Sequence, residues 1–151
     1  MFALLVVALL MTLGIAIVGW FRPVPAKPAP PPPTYTSQQV AEAKAKVCAA
    51  YAKVHSAVGV SMARDLGSDP TSQLAVATSA RQALLAGSEY LITTLSEEPA
   101  TAPDLATAIR KLASLFQQYT VDYLNGHTNA DMESALRAGD DTTLTIEGLC
   151  K

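Results

Sequence analysis

The chain has 151 residues, a formal net charge of −2 and a hydrophobic fraction of 50%. A small negative charge gives no electrostatic reason to bind nucleic acid or anionic lipid, and no Walker-type or dinucleotide fingerprint indicates a nucleotide partner. Residues 37–151 are enough for one compact domain with a single core.

The first element is an apolar run from Phe2 to Phe21 that contains no charged side chain. Twenty helical residues at about 1.5 Å each span roughly 30 Å, the thickness of a bilayer's hydrocarbon core. The run therefore predicts a transmembrane helix over residues 1–21. A cleavable signal peptide is the alternative, since Val24-Pro25-Ala26 offers a small-residue site. The run is longer than the apolar core of an ordinary signal, and only the terminal amine supplies positive charge before it.

Small residues recur on one face of this run, at Ala8, Thr12, Ala16 and Gly19. Such residues allow helix backbones to approach closely in lipid, where tight packing drives association. This stripe predicts a face that packs against another membrane helix, although alanine and glycine are also common in membrane helices generally. The expected partners are the lipid bilayer and an integral membrane protein complex.

The segment 22–36 follows as a spacer, with seven prolines in the twelve residues from Arg22 to Pro33. Proline fixes φ and removes the amide donor, so the segment favours a stiff, extended polyproline II conformation. Arg22 and Lys27 would favour a cytoplasmic location for it by the positive-inside rule. Two basic residues are a weak signal, and the cysteines described below favour the opposite orientation.

Two long helices follow the spacer. Ser37 is a plausible N-cap for a helix that runs to about Asp65, and Asp69 followed by Pro70 opens a second helix to about Ser96. Apolar residues at spacings of three, four and seven mark the expected buried sides. In the first helix these are Val40, Val47, Tyr51, Val54, Val58 and Met62, and in the second Leu74, Ala77, Leu84, Leu85, Leu91, Ile92 and Leu95.

A third helix should begin after Thr101 or Ala102 and reach Asn125, with Gly126 as its C-terminal cap. Its apolar residues step by four and three alternately, as in a coiled-coil seam. They are Leu105, Ile109, Leu112, Phe116, Tyr119 and Tyr123. Asn129 is a candidate cap for a fourth helix, in which we expect a break near Gly139. The expected buried residues there are Met132, Leu136, Leu144, Ile146 and Leu149.

Four helices with short turns and no convincing strand predict an all-α, up-down-up-down bundle over residues 37–151. Antiparallel packing of the first and fourth helices would bring Cys48 and Cys150 to the same end. One disulfide there is expected in an oxidising compartment, with two free buried thiols as the alternative. We therefore expect the bundle outside the cytoplasm, on the periplasmic or cell-wall side of the membrane.

No motif in the sequence indicates catalysis, a cofactor or a metal. His55 and His127 lie outside any HxxxH or HExxH context, and His127 is expected in an exposed turn. In the pairs Glu97-Glu98 and Asp140-Asp141, the two side chains point in different directions on a helix. Both pairs also coincide with predicted helix ends or breaks, so we expect them to be exposed to solvent there. Arg81 and Glu89 are the only charges near the apolar side of the second helix. They predict a partly buried polar contact or, alternatively, a spot that faces a partner.

Five features of the layout stand out together: the apolar N-terminus, the run Pro28 to Pro33, Val47-Cys48-Ala49-Ala50-Tyr51, the alanine-rich stretch from Ala80 to Gly87 and the closing Leu149-Cys150-Lys151. With these features the chain resembles a family of alanine- and proline-rich single-pass membrane proteins of mycobacteria and related actinobacteria. The resemblance implies an exported helical domain on a membrane tether. Some small proteins of this kind are accessory components of envelope assemblies, including respiratory ones.

The sequence as a whole predicts a non-enzymatic accessory or interaction protein of a larger membrane or cell-envelope complex. The alternative is a helical module that binds a lipid or another hydrophobic ligand, since alanine-rich helices leave room for an apolar cavity.

Overall fold

The computed structural model describes residues 33–64 and 68–151, together with residues 6, 9, 11 and 12. The chain divides into two compact units, Met1–Pro33 and Thr34–Lys151. The predicted membrane helix and the predicted spacer thus lie largely outside the described residues. Within the described residues, no helix combines the length and the apolar character needed to cross a membrane.

The second unit is all-α, and its described residues form four helices and no strand. They are α1 (Ser37–Met62), α2 (Pro70–Glu97), α3 (Pro103–Leu124) and α4 (Glu133–Leu149). Packing is closest between α1 and α2, between α2 and α3, and between α3 and α4. The prediction of a four-helix bundle in this region is confirmed.

The starts of the first three helices follow capping chemistry. Thr36 caps α1 in a capping box with Gln39, one residue earlier than the predicted Ser37. The Asp69 carboxylate accepts from the Ser72 amide at 2.8 Å, and Pro70 occupies the first turn of α2, both as predicted. Ala102 precedes Pro103 at the start of α3 and offers no side-chain cap.

The end of α3 is a Schellman motif. Gly126 has φ of +83°, and its amide donates to the Tyr123 carbonyl at 3.2 Å. The amide of His127 donates to the Asp122 carbonyl at 3.0 Å, so two carbonyls at the helix end gain partners. The predicted cap at Gly126 is confirmed, because this left-handed conformation suits a residue without a Cβ.

The prediction that Asn129 caps α4 is wrong. Thr128 and Asp131 make the reciprocal bonds of a capping box: the Thr128 amide donates to the Asp131 carboxylate at 2.8 Å, and the Asp131 amide donates to the Thr128 hydroxyl at 3.4 Å. Asn129 instead accepts a hydrogen bond from the Tyr123 hydroxyl at 2.8 Å. The turn precedes Met132, the residue at the α4 N-cap position, which makes no side-chain cap bond.

The predicted break near Gly139 is also absent, because α4 is continuous from Glu133 to Leu149. Gly139 is buried and faces the Tyr119 hydroxyl so closely that a Cβ would overlap it. Two threonines of α4 satisfy their hydroxyls within the helix: Thr142 donates to the Ala138 carbonyl and Thr145 to the Asp141 carbonyl. Glycine thus serves helix packing here, and does not end the helix.

The core lies between the four helices and follows the predicted stripes in part. Five of the six residues of the predicted α3 seam are buried, with Tyr123 half-buried. Ile146, Val47, Leu84 and Leu91 complete the centre of the core. Several residues predicted to be buried are exposed, and they are Met62, Leu74, Leu85, Ile92 and Leu144.

A disulfide joins Cys48 to Cys150, with their Cα atoms 5.7 Å apart, as predicted. It holds the end of α4 against α1, and the Lys44 ammonium donates to the Lys151 carbonyl at 3.0 Å beside it. Farther from the disulfide, the backbones of α1 and α4 are not in close contact, and a cleft occupies the space between them.

Candidate interaction surface

The outward side of α2 carries large apolar residues. Leu74, Leu85 and Ile92 are separated by eleven and seven residues, which at about 100° per residue places them on one line along the helix. Their exposures are 64%, 49% and 39%. The buried residues Leu84 and Leu91 immediately precede Leu85 and Ile92, so α2 is apolar on two adjoining sides and buries only one of them.

The neighbouring side of α3 is apolar as well. Gln117, Val121 and Leu124 follow one another at spacings of four and three, and Val121 and Leu124 are exposed by 55% and 68%. Gln117 donates a hydrogen bond to the Ser88 hydroxyl of α2 at 2.8 Å, which places this stripe of α3 at the boundary with α2.

Two hydrogen bonds set the register between these stripes. Arg81 donates to the Tyr123 carbonyl at 3.2 Å, and Ser88 accepts from Gln117. Leu85 lies between Arg81 and Ser88 on the same face of α2, so it stands level with the α3 segment that contains Val121. We refer to Leu85, Ile92, Val121 and Leu124 as the apolar hairpin face, because α2 and α3 form one helical hairpin.

The cleft between α1 and α4 has a volume of about 190 Å³. Its floor is formed by buried residues of α2 and α3, among them Leu84, Leu112 and Phe116. His55, Asp140 and Thr143 lie at its rim, where His55 stacks on Tyr51 with ring centroids 5.6 Å apart. The cleft is apolar and half-open, and its volume lies below the roughly 300–1,000 Å³ typical of ligand pockets.

The Tyr51 hydroxyl is buried beside this cleft and has no partner in hydrogen-bonding geometry among the described residues, although Thr143 and Glu147 of α4 face it. Burial raises the pKa of Tyr51, and the negative charge of Glu147 on α4 raises it further. Tyr119 differs, because its hydroxyl donates to the Ala135 carbonyl at 2.6 Å. Burial raises the pKa of Tyr119 as well, and Asp140 adds to that shift.

The titratable residues singled out in the sequence do not converge. His55 is exposed on α1, and His127 lies in the turn after α3 with Nδ1 3.3 Å from an Asp122 carboxylate oxygen. Asp140 and Asp141 are exposed along α4. Among the described residues, no group of three or more His, Cys, Asp or Glu side chains is placed to hold a metal ion.

Glu97 and Glu98 were both predicted to be exposed to solvent, and this is confirmed for Glu97 only. Glu97 is exposed at the end of α2, whereas Glu98 pairs with Lys46 at 2.6 Å and keeps only 16% of its side chain exposed. This pair raises the pKa of Lys46, through the hydrogen bond and the charge of Glu98. Arg81 makes the partly buried polar contact that the sequence predicted, whereas Glu89 is exposed.

Of the four residues of the predicted membrane-packing face, the structure describes one, Thr12. Ala8, Ala16 and Gly19 lie outside the described residues. Thr12 is helical and its hydroxyl donates to the Leu9 carbonyl at 2.9 Å. Val6, Leu9 and Met11 are helical with exposed side chains.

Sequence reasoning missed the apolar hairpin face because it assigned Leu85 and Ile92 to the core. Two adjacent apolar pairs in the sequence, Leu84-Leu85 and Leu91-Ile92, indicate this second apolar side of α2. Neighbours on a helix point about 100° apart, so a single narrow stripe cannot bury both members of each pair.

Comparisons of the chain with protein-family models, with curated proteins and with solved structures find no match. The resemblance to actinobacterial membrane proteins stays a prediction from the sequence.

Proposed function

We propose that this chain is a non-enzymatic accessory protein of a larger membrane or cell-envelope complex. In this proposal residues 1–21 form a membrane anchor, residues 22–36 form a stiff spacer, and the bundle lies outside the cytoplasm. The observation that carries the proposal is the apolar hairpin face, through which the bundle would contact a protein partner.

Large apolar side chains left exposed on one face are unfavourable in water and are typical of a site that a partner covers, and here the exposed Glu89 lies between Leu85 and Ile92 on that face. Fully burying a valine or leucine side chain contributes about 1.5–3 kcal/mol. The four residues of the hairpin face are already partly covered, so covering the rest would contribute on the order of 1 kcal/mol each. Because these residues come from two helices held in register by Arg81–Tyr123 and Ser88–Gln117, the surface is preformed, which limits the entropic cost of binding.

The other parts of the chain support the same reading. The apolar run of residues 2–21 supplies a length suited to a bilayer, and the stripe Ala8, Thr12, Ala16 and Gly19 supplies a face for a second membrane helix. Cys48–Cys150 suits an oxidising compartment. The alternative of a lipid-binding module gains less support, because the cleft between α1 and α4 is small for an acyl chain.

The test is extraction of the full chain from its native membrane in mild detergent, followed by pull-down and identification of the proteins that travel with it. We expect co-purification in fixed proportion with one membrane complex. The double variant Leu85→Gln and Val121→Gln should lose most of that complex, whereas the control Leu144→Gln should retain it. Leu144 is more exposed than Leu85 or Val121, at 66%, and belongs to α4.

The double variant Ala8→Leu and Ala16→Leu alters the small-residue face of the predicted membrane helix, and it tests whether this helix or the bundle binds the complex. If the unmodified chain is extracted without other proteins, the accessory role is contradicted. Equal recovery of the complex by the hairpin-face variant and by the Leu144 control would show that the hairpin face is not the contact surface.

A further inference from the structure

A second cavity lies toward the C-terminal end of α1, away from the disulfide, and has a volume of about 290 Å³. Its walls are small or apolar side chains of α1 and α2, namely Met62, Val76, Ala77 and Ala80. Its polar lining comes from Ser61, Arg81, Tyr123 and Asn129. The cavity therefore has an apolar part and a polar part, as expected of a site for an amphiphilic ligand.

Arg81 brings a positive charge to this cavity that no described residue compensates. Its guanidinium has five N–H donors, and its one hydrogen bond to a described residue goes to the Tyr123 carbonyl at 3.2 Å. None of the ion pairs formed among the described residues includes Arg81. The side chain is half-buried, where a charge without an opposite partner is unfavourable.

Two carboxylates that neighbour the lining residues Tyr123 and Asn129 in sequence are already engaged. Asp122 lies 3.3 Å from a ring nitrogen of His127, and Asp131 accepts both the amide and the hydroxyl of Thr128 at 2.8 and 2.7 Å. These bonds also hold the pKa of Asp131 below its ordinary value. Neither of these acids pairs with Arg81, so within the part of the chain that the structure describes the guanidinium has no carboxylate partner and is available to an anion.

The other polar groups of the cavity add further donors. Asn129 uses its amide oxygen to accept from the Tyr123 hydroxyl, which leaves its N–H groups without a partner among the described residues. Ser61 also lines the cavity and brings a hydroxyl to it, and this residue is only 9% exposed. A guanidinium, an amide and a hydroxyl together favour an acceptor with negatively charged oxygens.

We propose that this cavity binds a small anionic amphiphile. The oxyanion, a carboxylate or a phosphate, contacts Arg81, and the short apolar tail packs on Met62, Val76, Ala77 and Ala80. The volume is at the lower end of ligand pockets and fits a short chain better than a complete lipid. This site is separate from the apolar hairpin face, and it goes beyond the accessory role.

The test measures binding of hexanoate and hexyl phosphate to the full chain in lipid nanodiscs, with empty nanodiscs as the blank. Chemical shifts of the Met62 and Val76 methyl groups locate the ligand. We expect both anions to bind, with hexanol and hexylamine weaker. Acetate and inorganic phosphate should also bind more weakly, since they carry the charge without the tail.

Arg81→Gln should weaken hexanoate binding by about 10-fold to 100-fold, as expected for the loss of a charge-assisted contact. Arg81→Lys should keep part of the affinity. Ala77→Leu fills the cavity while leaving Arg81 in place, so it should abolish binding. Ala75→Leu is its control, because Ala75 is exposed on the same helix and does not line the cavity.

Circular dichroism of each variant separates lost binding from lost fold. Ala77→Leu keeps the test decisive if Arg81→Gln does not fold. Hexanol that binds as tightly as hexanoate would overturn the role of Arg81. If acetate binds as tightly as hexanoate, the apolar tail contributes nothing to affinity. The cavity would then bind anions alone, and the proposal of an amphiphilic ligand would be wrong. Unchanged affinity in Ala77→Leu, or no binding of either hexyl anion, would remove the site altogether.

Discussion

Gly139 shows how a single missing side chain sets the approach of two helices. A Cβ at this position would overlap the Tyr119 hydroxyl oxygen and lie 3.3 Å from Cζ of the same ring. Tyr119 is buried and its hydroxyl donates to the Ala135 carbonyl, so the ring cannot turn away without losing that bond. The close contact between α3 and α4 therefore depends on glycine.

Gly139→Ala should lower the free energy of unfolding by about 1–3 kcal/mol, the usual cost of overpacking a well-packed core. Gly59→Ala is the matched control, because a Cβ at Gly59 meets no atom within 4 Å. Alanine is the better helix former by about 0.5–1 kcal/mol, so the control should gain stability. Chemical denaturation of both variants measures the difference, and a loss of equal size in both would contradict the steric argument.

The two buried tyrosines of the core predict opposite responses to removal of the hydroxyl. Tyr51 has a buried hydroxyl without a hydrogen bond to any described residue, whereas the Tyr119 hydroxyl is bonded to the Ala135 carbonyl. Tyr51→Phe should leave stability unchanged or raise it by about 1 kcal/mol, since an unsatisfied polar group is removed from the core. Tyr119→Phe should lower it by about 1 kcal/mol.

Denaturant midpoints at neutral pH compare these two variants with the unmodified protein. A clear loss of stability in Tyr51→Phe would mean that its hydroxyl has a bonding partner after all, with Thr143 and Glu147 of α4 as the groups that face it.

At the scale of the helix, sequence signals worked where capping chemistry is local. Asp69-Pro70 and Gly126 act within a few residues of themselves, so their roles could be predicted. Thr128-x-x-Asp131 carries the same type of signal and was overlooked in favour of Asn129. Gly139 could not be interpreted locally, because its purpose depends on Tyr119, which is twenty residues away in sequence.

The capping box at the start of α1 provides the prediction at this scale. The Thr36 hydroxyl accepts from the Gln39 amide at 3.2 Å, and the Gln39 side chain accepts from the Thr36 amide at 2.9 Å. Thr36→Ala should lower the free energy of unfolding by about 1 kcal/mol, whereas Thr36→Ser should be nearly neutral. Amide hydrogen exchange in the first turn of α1 should accelerate in the alanine variant and not in the serine variant.

For the described bundle as a whole, the number and order of the helices and the packing of consecutive helices could be predicted, because apolar periodicity and short turns leave few alternatives. The predicted neighbouring of the first and fourth helices holds only beside the disulfide. The side of α2 that is buried could not be predicted. Two adjoining faces of this helix are equally apolar, one with Leu84 and Leu91 and the other with Leu85 and Ile92. Which of them is buried depends on where α1 and α3 lie. The alanine-rich helices left room for an apolar cavity, but the position of the cleft between α1 and α4 was not predictable, since it follows from the spacing of those two backbones.

The disulfide should matter most to α4, because this helix packs mainly on α3 and meets α1 beside Cys48 and Cys150. The cysteines are separated by 102 residues, and cross-linking a loop of that length contributes up to about 4.7 kcal/mol in the chain-entropy model. The double variant Cys48→Ala and Cys150→Ala should lose about 2–4 kcal/mol, with exchange protection falling first in α4. Reductant should lower the denaturant midpoint of the unmodified protein and leave the denaturant midpoint of the double variant unchanged. If the native, unreduced protein reacts with a thiol label at both cysteines, the bond is absent and the expected location outside the cytoplasm loses its main support.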